Sequence, residues 1–244
     1  MKRAAGALAQ AFSYFTIVPA GRFSSGPDAD ALAWLPLVGA VVGAIAGSAG
    51  WVAGRVAHQP WGGLAAFAFA IVLTGAIHVD GFMDSCDALF ATVTPDRRLE
   101  ILDDPRHGTY AIAGFAIAAL FWIFSLFALP WPRYPLLLAF TGATARLAVI
   151  PNAWIFPYAR PHVVTRAFAA RPSPVVFLLL LALVELLAFL ISPRFVAAVP
   201  IAIALAVVLG WAASRRLGGG MTGDVYGFCI VCVEVALLVA LVFV

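Results

Sequence analysis

Charge is what this chain has least of. Only 11% of its 244 residues are charged, against 64% hydrophobic, whereas a soluble domain carries about a quarter charged residues. That deficit excludes an ordinary soluble globular protein and indicates a polytopic membrane protein. At about 20 residues per span with short loops, the length accommodates roughly six to eight spans. We expect one integral-membrane domain over residues 1–244 and no separate soluble domain. Cysteine is scarce too: Cys86, Cys229 and Cys232 are too few for a disulfide framework. Cys229 and Cys232 lie inside an apolar run, where packing is the ordinary role. Internal repeats and low-complexity segments are missing. The net charge of +3 argues for loop orientation rather than a nucleic-acid partner. Met1-Lys2-Arg3 is basic, but the segment after it is short and carries Gln10, Ser13 and Tyr14, so no cleavable signal peptide is expected.

The apolar runs divide the chain into an all-α bundle. Residues 4–19 end at Pro19 and are too short to span; they predict a helix lying in the interface, anchored by Phe12, Tyr14 and Phe15. Seven spans follow, over residues 31–53, 61–77, 108–129, 136–156 (broken at Pro151-Asn152), 174–191, 195–213 and 225–244. In the first, Gly39, Gly43, Gly47 and Gly50 recur near every fourth residue, a stripe that lets a neighbouring helix approach closely. Trp122, Trp131 and Tyr134 suit a membrane boundary.

Basic residues orient the bundle. With seven spans, eleven Lys and Arg fall on one side and three (Arg55, Arg133, Arg194) on the other, with Arg146 inside a span. Cytoplasmic loops carry the excess, so the amino terminus is expected in the cytoplasm and the carboxyl terminus outside. Three polar segments then share the cytoplasmic face: the stretch from His78 to Thr109, the loop from Tyr158 to Arg171, and Arg215 to Asp224.

The first of these holds the chemistry. Seven of the 12 acidic residues lie between Asp80 and Asp104. Asp80, Asp84 and Asp87 are spaced i, i+4, i+7, so on a helix they share one face. Carboxylates so close repel one another unless a cation neutralises them, and oxygen ligands favour a hard ion such as Mg²⁺, Mn²⁺ or Ca²⁺. Mg²⁺ in particular is held by a few carboxylates together with substrate phosphates. The ordinary alternative is a solvated acidic loop, but carboxylates at the edge of a membrane are costly and usually functional.

Other candidates surround it. Arg106 can grip a phosphate bidentately, and the amides of Gly108 and Thr109 would favour an anion at a helix start. The Gly218–Asp224 run resembles a phosphate-cradling turn through Gly220, Thr222 and Gly223, although no Walker pattern is present and a plain connector fits equally. Asp224, beside Thr222, is a further candidate metal or ribose ligand. Arg146, Glu185 and Glu234 sit within apolar spans, where buried charge needs a partner or a function; Arg146 either reaches substrate or pairs with one of these acids. His78 and His107 are candidates for a general base or for neutral hydrogen-bonding residues.

In this order the motifs resemble those of the adenosylcobinamide-GDP ribazoletransferase (cobalamin synthase) family. The carriers are His78-Val-Asp-Gly-Phe-Met-Asp-Ser-Cys-Asp-Ala-Leu-Phe90, Arg98-Leu-Glu-Ile-Leu-Asp-Asp-Pro-Arg-His-Gly-Thr109 and Gly219-Gly-Met-Thr-Gly-Asp224. Phe15-Thr-Ile-Val-Pro19 and Leu35-Pro-Leu-Val-Gly39 add to them. The chain departs from the family pattern at Met83, Ala88, Asp103 to Pro105 and His107. The resemblance implies a transferase that joins adenosylcobinamide-GDP to α-ribazole or its 5′-phosphate and releases GMP, with Mg²⁺, in the bacterial inner membrane, beside other corrinoid-pathway enzymes. Asp80, Asp84, Asp87, Asp104 and Asp224 would then serve the metal. Arg106, Arg160 and the Gly108 and Thr109 amides would steady phosphates, and a carboxylate (Asp80 or Asp84) or His78 would take the proton from the attacking hydroxyl.

Competing readings are a CDP-alcohol phosphotransferase, an intramembrane prenyltransferase and a cation transporter. Asp80-Gly81 is followed by Phe82-Met83 rather than the Ala-Arg of the first, and the second needs two strong Asp-rich motifs. A transporter often shows paired repeats.

Overall fold

A computed structural model describes residues 2–21, 27–159 and 171–243. Among these residues every regular element is helical: α1 (Lys2–Phe15), α2 (Ala29–Ala33), α3 (Leu35–Ala57), α4 (Trp61–Leu73), α5 (Ile77–Phe90), α6 (Pro95–Ile101), α7 (Thr109–Ala128), α8 (Tyr134–Ala148), α9 (Asn152–Ile155), α10 (Pro174–Ile191), α11 (Ala198–Arg216) and α12 (Gly223–Val242). Six helical segments are long and apolar enough to cross a membrane: Leu35–Ala57, Thr109–Ala128, Trp131–Ile155, Pro174–Ile191, Pro193–Arg216 and Gly223–Val242. The chain is an integral membrane protein built as a helical bundle.

The glycine stripe packs as its spacing requires. α3 lies against α8 so closely that a Cβ on Gly43 would stand 1.9 Å from the carbonyl oxygen of Leu138, and one on Gly47 would stand 2.4 Å from that of Tyr134. Only glycine permits that approach. α8 is the axis of the bundle, its span being 89% buried against 22% for those of α7 and α10, which face outward. Tyr134, Phe140 and Leu147 on α8 are fully enclosed.

The run over residues 61–77 does not continue as one straight span. α4 is 13 residues long, about 20 Å at 1.5 Å per residue, and short of the roughly 30 Å hydrocarbon core. Thr74 Oγ1 donates back to the Ala70 carbonyl at 3.0 Å. Gly75 (φ 57°) and Ala76 (φ 60°) then turn left-handed, and the Ala76 N–H closes on Ile71 O at 3.0 Å, a left-handed helix stop. α5 leaves at 88° to α4. It crosses the first turns of α7 and α12, with Phe82 stacked on Phe228 at 5.5 Å between ring centres. The acidic segment is therefore a helix turned sharply from α4 and laid across one end of the bundle. Near it Gly81 meets the α12 backbone, where a Cβ would lie 2.9 Å from Asp224 Cα.

Two other expectations shift in detail. The amino-terminal helix forms as α1, but Phe15 and Ala11 are buried in the protein rather than spread on an interface, and Ile17 N–H donates to Leu73 O at 2.9 Å. The break near Pro151 falls at residues 149–151, between α8 and α9.

Candidate active site

α5 presents its carboxylates at the end of the bundle where α7 and α12 begin. The three expected on one face divide between two tasks. Asp80 and Asp84 gather with His107: Asp84 Oδ1 lies 3.3 Å from His107 Nδ1, and Asp80 Oδ1 lies 3.9 Å from His107 Nε2. One donor atom from each of the three falls within 4.8 Å of the others, a grouping able to hold a cation. Asp87 instead turns to α7, where it accepts hydrogen bonds from the Gly108 N–H and, at 2.9 Å, from the Ala111 N–H. Gly108 allows this, since a Cβ there would meet Asp87 Oδ1 at 2.8 Å. The carboxylate thus sits at a positive helix start, the place where sequence reasoning expected a phosphate on the Gly108 and Thr109 amides.

Asp84 is the most perturbed acid of the group. Burial, then the nearby Asp80 and Asp224 carboxylates, push its carboxyl up to about 6, with His107 pulling the other way. Such an accumulation of like charge is relieved by a cation. Asp224 stands in the first turn of α12 and lines the same pocket as Asp80. Asp104 is engaged with Arg106, whose Nε and Nη2 donate to its two oxygens at 2.9 and 2.7 Å; these bonds hold the Asp104 carboxyl down at about 2.

The loop before α12 is fixed by backbone pairing. Met221 N–H donates to Pro157 O and Ala159 N–H to Met221 O, both at 2.9 Å. Gly220 fits against Ala159, where a Cβ would lie 2.6 Å from Cα. Thr222 is buried, its Oγ1 without a partner among the described residues, and Gly223 lines the pocket that holds Asp224. Arg160 lies outside the described residues.

Two expected site residues face inward. His78 lies on the buried face of α5, stacked on Phe15 at 6.0 Å between rings. Arg146 is 4% exposed and donates to Glu234 Oε2 and to Gly142 O, each at 3.1 Å. The two acids within the spans part company: Glu234 has this partner, while Glu185 on α10 leaves Oε2 without a hydrogen bond among the described residues.

Sequence reasoning missed the parts played by three residues. His107 was weighed as a base and not as a neighbour of the carboxylates; its place beside Arg106 in the acidic stretch was the available signal. Arg98 and Arg216 together hold the end of α5: Arg98 Nη1 donates to Ala88 O at 2.5 Å and Leu89 O at 2.9 Å, and Arg216 Nη1 donates to Leu89 O. Two cations at a helix carboxyl terminus oppose its partial negative charge. No spacing rule links residues 98 and 216.

Comparison with known proteins bears on this geometry. The family model described as cobalamin-5-phosphate synthase matches residues 7–242. The adenosylcobinamide-GDP ribazoletransferase of Deinococcus radiodurans is 35% identical over 240 residues, covering 95% of this chain and 84% of the relative. That of Klebsiella pneumoniae is 33% identical over 246 residues, covering 95% and 97%. The Escherichia coli O157:H7 protein of the same name is 30% identical, covering 94% and 96%. No solved structure matches the chain.

Proposed function

The chain belongs to the cobalamin-5-phosphate synthase family and is an enzyme of that family, and from that membership we propose that it joins adenosylcobinamide-GDP to α-ribazole, or to α-ribazole 5′-phosphate, and releases GMP. The observation that carries the reading is the gathering of Asp80, Asp84 and His107 at one end of the bundle, within 4.8 Å of one another. Asp80 and Asp84 belong to the motif that resembles the family, whereas His107 is a position at which the chain departs from the family pattern.

The residues present fit a divalent cation: like charge accumulates around Asp84, and two carboxylates with room for phosphate oxygens suit Mg²⁺. Asp80 and Asp84 would hold it, with Asp224 close by. When bound, such an ion polarises the pyrophosphate and offsets charge growing on the departing GMP.

The protein's own groups supply the rest. The pair of Arg98 and Arg216 fixes the end of α5, and the Asp87 bonds to α7 fix its acidic face. The carboxylates are thereby held before substrate arrives, which lowers the cost of assembling the reactive geometry. Arg106 is exposed and paired to its neighbour Asp104, so it can exchange that partner for a substrate phosphate. Asp80 is the exposed carboxylate of the cluster, able to accept the proton of the attacking hydroxyl. His78 is buried and serves as a neutral hydrogen-bonding group. The excess of Arg on this end supports a cytoplasmic face for it, in the inner membrane.

The test is turnover of adenosylcobinamide-GDP and α-ribazole by detergent-purified protein with Mg²⁺ and with EDTA, reading GMP and corrinoid product together. Mg²⁺-dependent release of both in equal amounts is expected. No product from folded protein at any metal concentration overturns the reading.

A further inference from the structure

Between α1, α3, α5 and α12 lies a pocket of about 220 Å³. Phe15, Leu35, Ile77 and Ile230 make its walls apolar, and the rings of Tyr14 and Tyr226 add flat surfaces. Its two carboxylates are Asp80 and Asp224. His78 lines both this pocket and the cavity beside Arg146 and Glu234; it is 7% exposed, and among the described residues its Nε2 has no hydrogen-bond partner. A buried, unpartnered nitrogen is costly unless something completes it.

We propose that this pocket is the subsite for the base of the acceptor nucleoside: the benzimidazole of α-ribazole lies among the apolar side chains, and its ribose lies toward Asp80 and Asp224. The assignment rests on the reaction proposed above. Size excludes the corrin macrocycle from so small a space, which leaves the three bicyclic rings of the substrates: the adenine of the adenosyl group, guanine and benzimidazole. Adenine carries an exocyclic amine and three free ring nitrogens, and guanine an exocyclic oxygen, an exocyclic amine and several ring nitrogens, each needing a partner when buried. An alkylated benzimidazole, once joined to ribose, keeps a single free ring nitrogen. That one acceptor matches the one orphaned nitrogen of His78, which donates to it in the Nε2–H tautomer. Everything else about the base is apolar, as the walls are. Asp80 belongs both to this pocket and to the cation-holding group, so a base seated here carries its ribose hydroxyl to the phosphates.

The experiment compares wild type with Ile230→Trp, which fills the pocket, measuring KM for each substrate separately. The expected result is a rise of about tenfold or more in KM for α-ribazole, with KM for adenosylcobinamide-GDP unchanged. A rise confined to adenosylcobinamide-GDP assigns the pocket to guanine or adenine and overturns the proposal. Equal rises in both, or in neither, also overturn it. Unmethylated benzimidazole riboside on wild-type protein guards against misfolding of the variant. Its KM exceeds that of α-ribazole by about tenfold if the methyl groups are buried here, and Leu35→Ala reduces that preference; an unchanged preference in Leu35→Ala counts against the site. Calorimetric titration of wild type and Ile230→Trp with α-ribazole alone separates this claim from the reaction itself. Binding lost in the variant supports the pocket even if no product forms, and equal binding in the two proteins refutes it.

Discussion

The protein holds two groups of charge that obey opposite rules. At the end of the bundle, Asp80, Asp84 and Asp224 raise one another's negative potential, and His107 is the cation-capable side chain nearest Asp84. Inside, Arg146 meets Glu234 at 3.1 Å, with a further bond to Gly142 O. The inner pair is balanced by its own residues and is explained by packing. Among the described residues the outer group gathers like charge around Asp84, which folding alone gives no reason to assemble. Like charge collected where solvent and substrate can reach it points to an external cation. Opposite charge matched in the interior points to architecture.

Breaking each group separately sharpens that contrast. The largest effect on stability is expected inside: Glu234→Ala leaves Arg146 buried without its acid and costs about 3–5 kcal/mol, read as a fall in thermal midpoint in detergent. Arg146→Leu with Glu234→Leu should recover most of the loss. A single variant as stable as wild type would remove the pair from the account of the fold.

Asp84→Asn is expected to behave the other way. Turnover should fall about a hundredfold or more, while the metal-free protein keeps or gains stability because repulsion is relieved. Normal turnover would take Asp84 out of the mechanism. Asp87→Asn should cost about 1 kcal/mol of stability through the weakened cap on α7, with a smaller loss of turnover than Asp84→Asn. If Asp87→Asn instead loses activity as completely as Asp84→Asn, the division of labour along α5 is wrong.

The pH dependence is the subtlest effect. Asp84 has its carboxyl raised from an ordinary 3.8 to about 6, so the folded state binds this proton more tightly than the unfolded state. Its contribution to stability is present below about pH 4 and is lost as pH rises through about 6. Metal-free wild type should therefore lose thermal midpoint relative to Asp84→Asn between pH 4 and 7, and added Mg²⁺ should restore it more at pH 7 than at pH 5. Parallel midpoint curves for the two proteins would contradict the strain assigned to Asp84.

Much of this architecture is legible in the chain. Low charge and apolar runs identify a membrane bundle, and the four-residue glycine spacing anticipates the α3–α8 seam. Residues 174–191 form α10 with the bounds that hydropathy gives. The stop at Thr74-Gly75-Ala76 escaped because hydropathy continues through it; only Gly75 hints at a turn, and Ala76 in a left-handed conformation has no sequence signature. The spacing of Asp80, Asp84 and Asp87 places them on one helical face, as found, but says nothing about what faces each one. His107 and the amino terminus of α7 come from another element, and that tertiary placement sends Asp87 to the Gly108 and Ala111 amides and Asp84 to His107. The pocket walls from α1 were hidden for the same reason: Phe15 and Tyr14 read as membrane anchors until α1 is docked over α5.

The most direct test of the central claim is a titration with Mn²⁺, a paramagnetic stand-in for Mg²⁺, followed by electron paramagnetic resonance on purified wild type, Asp84→Asn and Glu234→Gln. The account predicts one saturable site in wild type, lost in Asp84→Asn and retained in Glu234→Gln that remains folded. A site that survives Asp84→Asn and disappears in Glu234→Gln would place the cation at the interior pair and contradict the account.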